Sequence, residues 1–317
     1  MRAAARTSRR RDSGNVGCGA IGDDGAVPPP RNPLLHVIGA ACCFALMAFA
    51  VRLASRSGLG GGQIAFVRFV MMLSPVVAVP ALARRAVRVR RLDLLFYRGF
   101  FGGAAVLLFF LSIAHVPVGL ATLLNNSSPV FSVAFAALFL GERADRRLLV
   151  PLAVALVGIA LAAGGDARGG RWLQIGPWEL AGLGSAILAG AALAALRAAR
   201  RTEGSWAIYT SFCLFGLLAT APFGLAGYRA PTAVEWLLLA AVGASSVAAQ
   251  LLMTYAYRWV TNLQAGVTLQ LTVILAMVLG AVFLGERLTP LQLLGSALTI
   301  AGVVGVIRLS APPRAIG

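Results

Sequence analysis

The chain has 317 residues, of which 59% are hydrophobic and 12% charged, with a mean hydropathy of +0.82. A soluble domain is about 25% charged, so this chain has too little polar surface to coat water-soluble domains. The net charge of +17 comes from Arg alone. A nucleic-acid-binding domain gathers its basic residues on one face of a soluble fold; here they fall at regular breaks between apolar runs.

In chain order, residues 1–33 are polar, rich in Arg, Gly and Pro, and lack an apolar run. They read as a disordered Arg-rich cytoplasmic tail and not as a signal peptide. Crossing roughly 30 Å of hydrocarbon takes about 20 apolar residues. Such runs fall at 34–53, 63–83, 92–113, 118–140 and 148–163, then at 180–196, 206–225, 234–257, 263–284 and 291–307. The expected fold is therefore all-α and integral to the membrane, with ten transmembrane helices and links too short for a soluble domain. Residues 309–317 close the chain as a second cytoplasmic tail. Trp172, Trp178, Trp206, Trp236 and Trp259 lie at or near span ends, where aromatic residues meet lipid headgroups.

The chain also contains itself. Phe139–Arg143 reads FLGER, and Phe283–Arg287 reads FLGER again. A shift of 144 positions lays Leu94, Gly99, Ala105 and Val116 on Leu238, Gly243, Ala249 and Val260, and Ala153 and Gly158 on Ala297 and Gly302. A repeat of this length means two copies of one unit, 34–165 and 178–308, with five helices each. Because five is odd, the second copy has to lie upside down, and two inverted five-helix repeats are an architecture of secondary transporters. Arg placement sets the orientation. With the N-terminus inside, the cytoplasmic side takes most of the Arg, while the outer side keeps Arg52, Arg56, Arg168, Arg171, Arg229 and Arg287.

Arg68-Phe69, the Ser128-Pro129-Val130-Phe131 stretch leading to Gly141-Glu142-Arg143, and the second Gly285-Glu286-Arg287 resemble the drug/metabolite transporter superfamily, EamA type, over about residues 34–307. One departure is Val273, where the family often has Pro in the second copy, so the second kink is expected to be softer. The resemblance implies a secondary transporter that moves a small organic solute, an amino acid or related metabolite or drug, across the cytoplasmic membrane by alternating access. An uptake carrier of the S-adenosylmethionine or riboflavin kind is the alternative, and an integral membrane enzyme a more distant one. A small-molecule solute and the lipid bilayer are the expected partners, without nucleic acid; a homodimer stays open. An all-Arg, Ala- and Gly-rich composition fits a GC-rich bacterial genome, hence a bacterial inner membrane with both termini cytoplasmic.

Transport needs inward-facing polar groups near the midplane and helices that can bend around them. Asn125-Asn126-Ser127-Ser128-Pro129 in the fourth span is the leading candidate. Pro129 removes a backbone donor and crowds the carbonyl of Asn125, which frees that oxygen. The shift pairs Asn126 with Gln270 and Ser128 with Thr272, so Asn125, Asn126, Ser128, Gln270 and Thr272 form the candidate binding set, with Gln250 in the eighth span. The alternative is that these groups only cap the kink and glue helices together. Arg68 and Arg98 each lie about a turn and a half inside their spans. A carboxylate or phosphate is the functional reading for Arg68, and a headgroup or helix-end anchor the favoured one for Arg98. Their counterparts in the second copy are small or apolar, near Ser211 and at Val242.

Asp93, Glu142, Glu179, Glu235 and Glu286 sit at span ends. Ion coupling through a central carboxylate is therefore not expected, and Glu142 and Glu286, like Pro129, are given structural kink or cap roles. His36 and His115 lie one at each membrane edge; Cys18 is in the tail, and Cys42, Cys43 and Cys213 lie within spans and read as small apolar residues. No metal site, nucleophile–base pair or phosphate-cradling loop can be assembled from them, so no cofactor, metal or catalytic residue is expected.

Overall fold

The computed structural model describes residues 32–87, 89–140, 146–164, 175–200, 202–256, 260 and 262–309. The tail 1–31, Glu142 and Arg143 of the first FLGER, Trp172, Trp259 and residues 310–317 lie outside the described residues. Among the described residues the chain is helical throughout. The helices are α1 (Pro33–Arg56), α2 (Gly61–Ala78), α3 (Pro80–Ala86), α4 (Leu92–His115), α5 (Val118–Asn126), α6 (Ser128–Leu140) and α7 (Leu149–Gly164). They continue with α8 (Pro177–Ala199), α9 (Ser205–Leu225), α10 (Ala233–Ala256), α11 (Asn262–Leu269), α12 (Leu271–Leu284) and α13 (Pro290–Leu309). Among the described residues, eight helical stretches are long and apolar enough to cross a membrane, and Leu149–Ala162 is apolar but shorter. Large apolar side chains such as Val77, Leu218, Val282 and Phe283 stand exposed on the outer faces of the bundle, as lipid-facing residues of a multi-pass membrane protein do.

Local chemistry marks the helix ends. Asn32 caps α1 by accepting from the Leu34 N–H, and Pro33 occupies the first helical position. Two capping boxes open helices in the second half. Thr232 and Glu235 exchange backbone-to-side-chain bonds at the start of α10, and Thr289 and Gln292 do the same at α13. Gly285 ends α12 in the left-handed conformation at φ 65°, and the Glu286 N–H returns to the Gly280 carbonyl at 3.0 Å.

The second apolar run, 63–83, is not one helix. Pro80 pushes Val79 into an extended conformation (φ −118°, ψ 100°), so α2 stops at Ala78 and α3 starts separately. The fourth and ninth runs are each broken. Ser127 separates α5 from α6, and Gln270 separates α11 from α12. At both breaks the ladder tightens to i→i−3 bonds, from the Val130 N–H to the Ser127 carbonyl and from the Val273 N–H to the Gln270 carbonyl, each 3.0 Å. The second break occurs although Val273, at the position of Pro129, keeps its N–H and donates it to the Gln270 carbonyl.

The packing exchanges the two halves. α7 packs on α13 and α2 on α9; α4 packs on α8 as α1 packs on α10, α4 on α9 as α2 on α10, and α6 on α8 as α1 on α12. Single residues repeat the pattern. A methyl group at Gly158 would meet Thr299, and one at Gly302 would meet Ala155; one at Gly99 would meet Phe215, and one at Gly243 would meet Met71. Each of these contacts maps onto its partner under the same 144-residue shift. Glycine at these positions lets the helices approach closely, which is how apolar helices gain dispersion contact where lipid offers no hydrophobic drive.

Candidate functional site

Where α1, α2, α4, α5, α6, α8, α9, α10, α11 and α12 converge, they enclose a cavity of about 230 Å³. Its polar wall is Arg68, Arg98, Thr122, Asn125, Asn126, Ser128, Gln250 and Thr272, and Phe110 and Phe212 are among its aromatic members. Of the binding candidates read from the sequence, Asn125, Asn126, Ser128, Thr272, Arg68 and Gln250 all meet here. Gln270 is not among the lining residues. It is buried, 6% exposed, and its Nε2 donates to the backbone carbonyl of Asn126 at 3.4 Å. The two repeat-equivalent residues thus touch each other, and the carbonyl captured across the molecule at the break is that of Asn126.

The amides are largely engaged by the protein. Asn125 Nδ2 donates to Ser185 Oγ on α8 at 3.1 Å, and Asn126 Nδ2 to the Thr122 carbonyl at 3.0 Å. Thr122 Oγ1 donates to the Val118 carbonyl at 2.7 Å, and Thr272 Oγ1 to Ala41 on α1 at 3.4 Å. These bonds fasten the break and tie helices together, while the same residues still form the cavity wall.

The arginines are different. Arg68, only 4% exposed, donates from Nε to Ser246 Oγ at 2.9 Å; that hydroxyl donates in turn to the Val242 carbonyl at 2.6 Å. Its Cζ lies 5.0 Å from the centroid of Phe69 and 5.7 Å from that of Phe110. Arg68 Nη1 is buried with no hydrogen-bond partner among the described residues, and so is Arg98 Nε. The Arg98 Cζ sits 4.4 Å over the ring of Phe212. Neither guanidinium forms an ion pair among the described residues, and no carboxylate lines the cavity. A buried cation lacking a counter-charge is costly in a membrane protein and marks a place where an anion would be stabilised.

The sequence favoured an anchoring role for Arg98; the structure brings it to the cavity wall beside Phe212. Phe212 was not singled out, yet the 144-residue shift lays it on Arg68, so the repeat held that signal. Thr122 and Ser185 were not singled out: Thr122 bonds within its own helix, to Val118 and Asn126, and Ser185 meets Asn125 from a helix far away in sequence.

Glu286 holds one end of the bundle together. Its Oε1 accepts from Arg52 Nε at 2.9 Å and lies 3.6 Å from Arg56, and its Oε2 accepts the Val118 N–H at the start of α5 at 2.7 Å. Arg52 Nη1 also donates to the Ile113 and Ala114 carbonyls at the end of α4, at 2.7 and 2.6 Å. At the same end Arg229 pairs with Glu235, and the Arg229 carbonyl accepts from Gln63 Nε2 at 2.6 Å. At the other end Glu203 accepts the backbone N–H groups of Arg90 and Arg91, at 3.0 and 2.6 Å. No group of His, Cys, Asp and Glu able to hold a metal ion occurs among the described residues.

Comparisons with known proteins point the same way. The model of the EamA-like transporter family matches residues 32–164 and again 176–308. The chain is similar to the pseudopaline exporter CntI of Pseudomonas aeruginosa, with 25% identity over 279 residues, 88% of this chain and 96% of that one. It is also similar to a probable terminal-alkyne amino-acid exporter of Streptantibioticus cattleyicolor, 35% identical over 206 residues, 61% of this chain and 65% of that one. A solved crystal structure shares the fold with a TM-score of 0.56 at 20% identity, covering 86% of this chain and 98% of its own.

Proposed function

Because the chain belongs to the EamA-like transporter family, we propose that it is a secondary transporter exporting a small organic solute with an anionic group, an amino acid or related metabolite, by alternating access. The transporter assignment replaces the enzyme alternative. The observation that carries the finer reading is the cavity itself: both halves build it, and its two arginines have unmatched donors with no carboxylate near them. A carboxylate there would accept charge-assisted hydrogen bonds in a site sheltered from water. Export follows the names of two relatives, an exporter and a probable exporter.

The mechanism rests on ten spans, counted as α1, α2, α4, α5 with α6, α7, α8, α9, α10, α11 with α12, and α13. Two halves inverted about an axis in the membrane plane would account for the exchange-symmetric packing. Of the Arg at helix ends, Arg52, Arg56, Arg229 and Arg287 fall on the side assigned outward. Arg84, Arg85, Arg90, Arg91, Arg200 and Arg308 fall on the cytoplasmic side, as the positive-inside bias requires. The helices broken at Ser127 and Gln270 flank the cavity and supply the flexible parts, and the Glu286–Arg52 and Arg229–Glu235 pairs close the outer end. With no central carboxylate, exchange of one solute for another is the favoured form of coupling.

A metabolite-panel flux screen in proteoliposomes tests the proposal. At least one small carboxylate-bearing solute should cross faster than in protein-free vesicles and be slowed by unlabelled solute. Flux indistinguishable from empty vesicles across the panel would sink it.

A further inference from the structure

We infer that the solute carries two anionic groups, one met by Arg68 and the other by Arg98. This inference rests on the transport reading and narrows its solute to compact dianions. The two cations reach one cavity from different helices, α2 and α4. Each lies against a different ring of an edge-to-face aromatic pair, Phe69 and Phe212, whose centroids are 5.3 Å apart at 77°. Each therefore presents its own donors, and each has a buried nitrogen without a partner among the described residues, Nη1 of Arg68 and Nε of Arg98.

Charge balance points the same way. The described carboxylates, Asp93, Glu179, Glu203, Glu235 and Glu286, all lie near helix ends, and none lines the cavity. One carboxylate on the solute would neutralise one guanidinium and leave the other uncompensated, which is costly for Arg68, buried at 4% exposure, and for the partly buried Arg98 with its sealed Nε. Two would satisfy both. A hydrogen-bonding neutral ligand could meet the N–H groups but not the charge.

The rest of the wall shapes the remainder of the solute. Under the 144-residue shift Arg68 falls on Phe212 and Arg98 on Val242, so the second half supplies no cation. What it supplies is Gln250 and Thr272. A dianion is thus oriented with both acids toward the first half and its neutral polar part toward α10 and α12. The volume of about 230 Å³ falls below the roughly 300–1,000 Å³ of drug-sized sites, which favours a compact molecule such as a dicarboxylic acid or a carboxylated phosphate ester.

The experiment measures binding to the purified chain by thermal stabilisation and by displacement of a labelled solute, using pairs matched in size and differing in charge. The pairs are L-glutamate with L-glutamine, L-2-aminoadipate with L-norleucine, and glutarate with glutaramate. The expected result is that the better-fitting acid binds at least about tenfold more tightly than its less charged mate, the lower range for hydrogen bonds to a charged group. R98Q, which keeps N–H donors and removes the charge, should bring that ratio to about one. Its thermal stability without solute reports folding separately, and the wild-type ratio decides even if R98Q fails to fold. If the less charged mates bind as tightly and are carried in the flux screen, the inference is wrong and the transport reading stands. If an unrelated neutral solute is carried while no diacid binds, the inference is again overturned. If nothing in either experiment binds or crosses, both readings fall together.

Discussion

Arg68 shows why a single residue can be read in two ways until its surroundings are known. From the sequence it is one Arg inside an apolar span, and snorkelling to headgroups would explain it. In the structure its Nε is fixed by Ser246, its plane lies against Phe69 and Phe110, and Nη1 has no partner among the described residues. A headgroup anchor would not be sealed at 4% exposure. Lys at this position keeps the charge but loses the fork and the anchoring Nε. We therefore expect Arg68→Lys to retain partial transport. Arg68→Leu should abolish it at unchanged membrane abundance, consistent with about 1.5–3 kcal/mol for a lost hydrogen bond to a charged group. Transport assays normalised to folded protein by size-exclusion profile check this. Equal loss of folded protein in both variants would assign Arg68 a structural task instead.

At the scale of elements, what was legible in the sequence followed from length and composition. Runs of about 20 apolar residues became helices with nearly the expected ends, because lipid requires the backbone to satisfy itself. Pro129 announced the break between α5 and α6, since a ring that cannot donate leaves a readable gap, whereas the run 63–83 was read through Pro80, where the structure ends α2. The break at Gln270 had no local signal. It showed only through equivalence with the first copy, and Val273 gave the expectation of a softer kink there. The amides could be singled out because polar groups in apolar spans stand out, whereas the place of Arg98 on the cavity wall needed the tertiary arrangement. Glu286 illustrates the same limit. Its helix-end position was legible, but its partners Arg52 and the Val118 N–H come from two elements of the other half. With side chains only 12% and 7% exposed, the Arg52–Glu286 pair is shielded from water. Glu286→Gln should cost about 3 kcal/mol of stability, at the lower end for a broken buried pair. The measurement is the melting temperature in detergent. An unchanged value would show that α1, α5 and α12 are held without it.

For the whole molecule, the exchange-symmetric packing is the chief support for two inverted copies. Parallel copies would also repeat the sequence, but would place equivalent links on the same side of the membrane. The α1–α2 link contains Ser57, and its counterpart between α8 and α9 contains Gly204; both positions are exposed. In intact cells Ser57→Cys should react with a membrane-impermeant maleimide, and Gly204→Cys only after permeabilisation. Labelling of both from the same side would rule out inversion.

The most direct measurement concerns the cavity as the solute's path. Asn126 lines it beside the break between α5 and α6. Asn126→Cys would be made in a chain whose Cys18, Cys42, Cys43 and Cys213 are replaced by Ala, reconstituted, and exposed to a small water-soluble thiol reagent. Modification is expected in the absence of solute, with protection that saturates over the concentrations at which the same solute is carried. Modification at equal rates with and without a carried solute, or no modification at all, would contradict that expectation and leave the polar stretch as an attachment between helices.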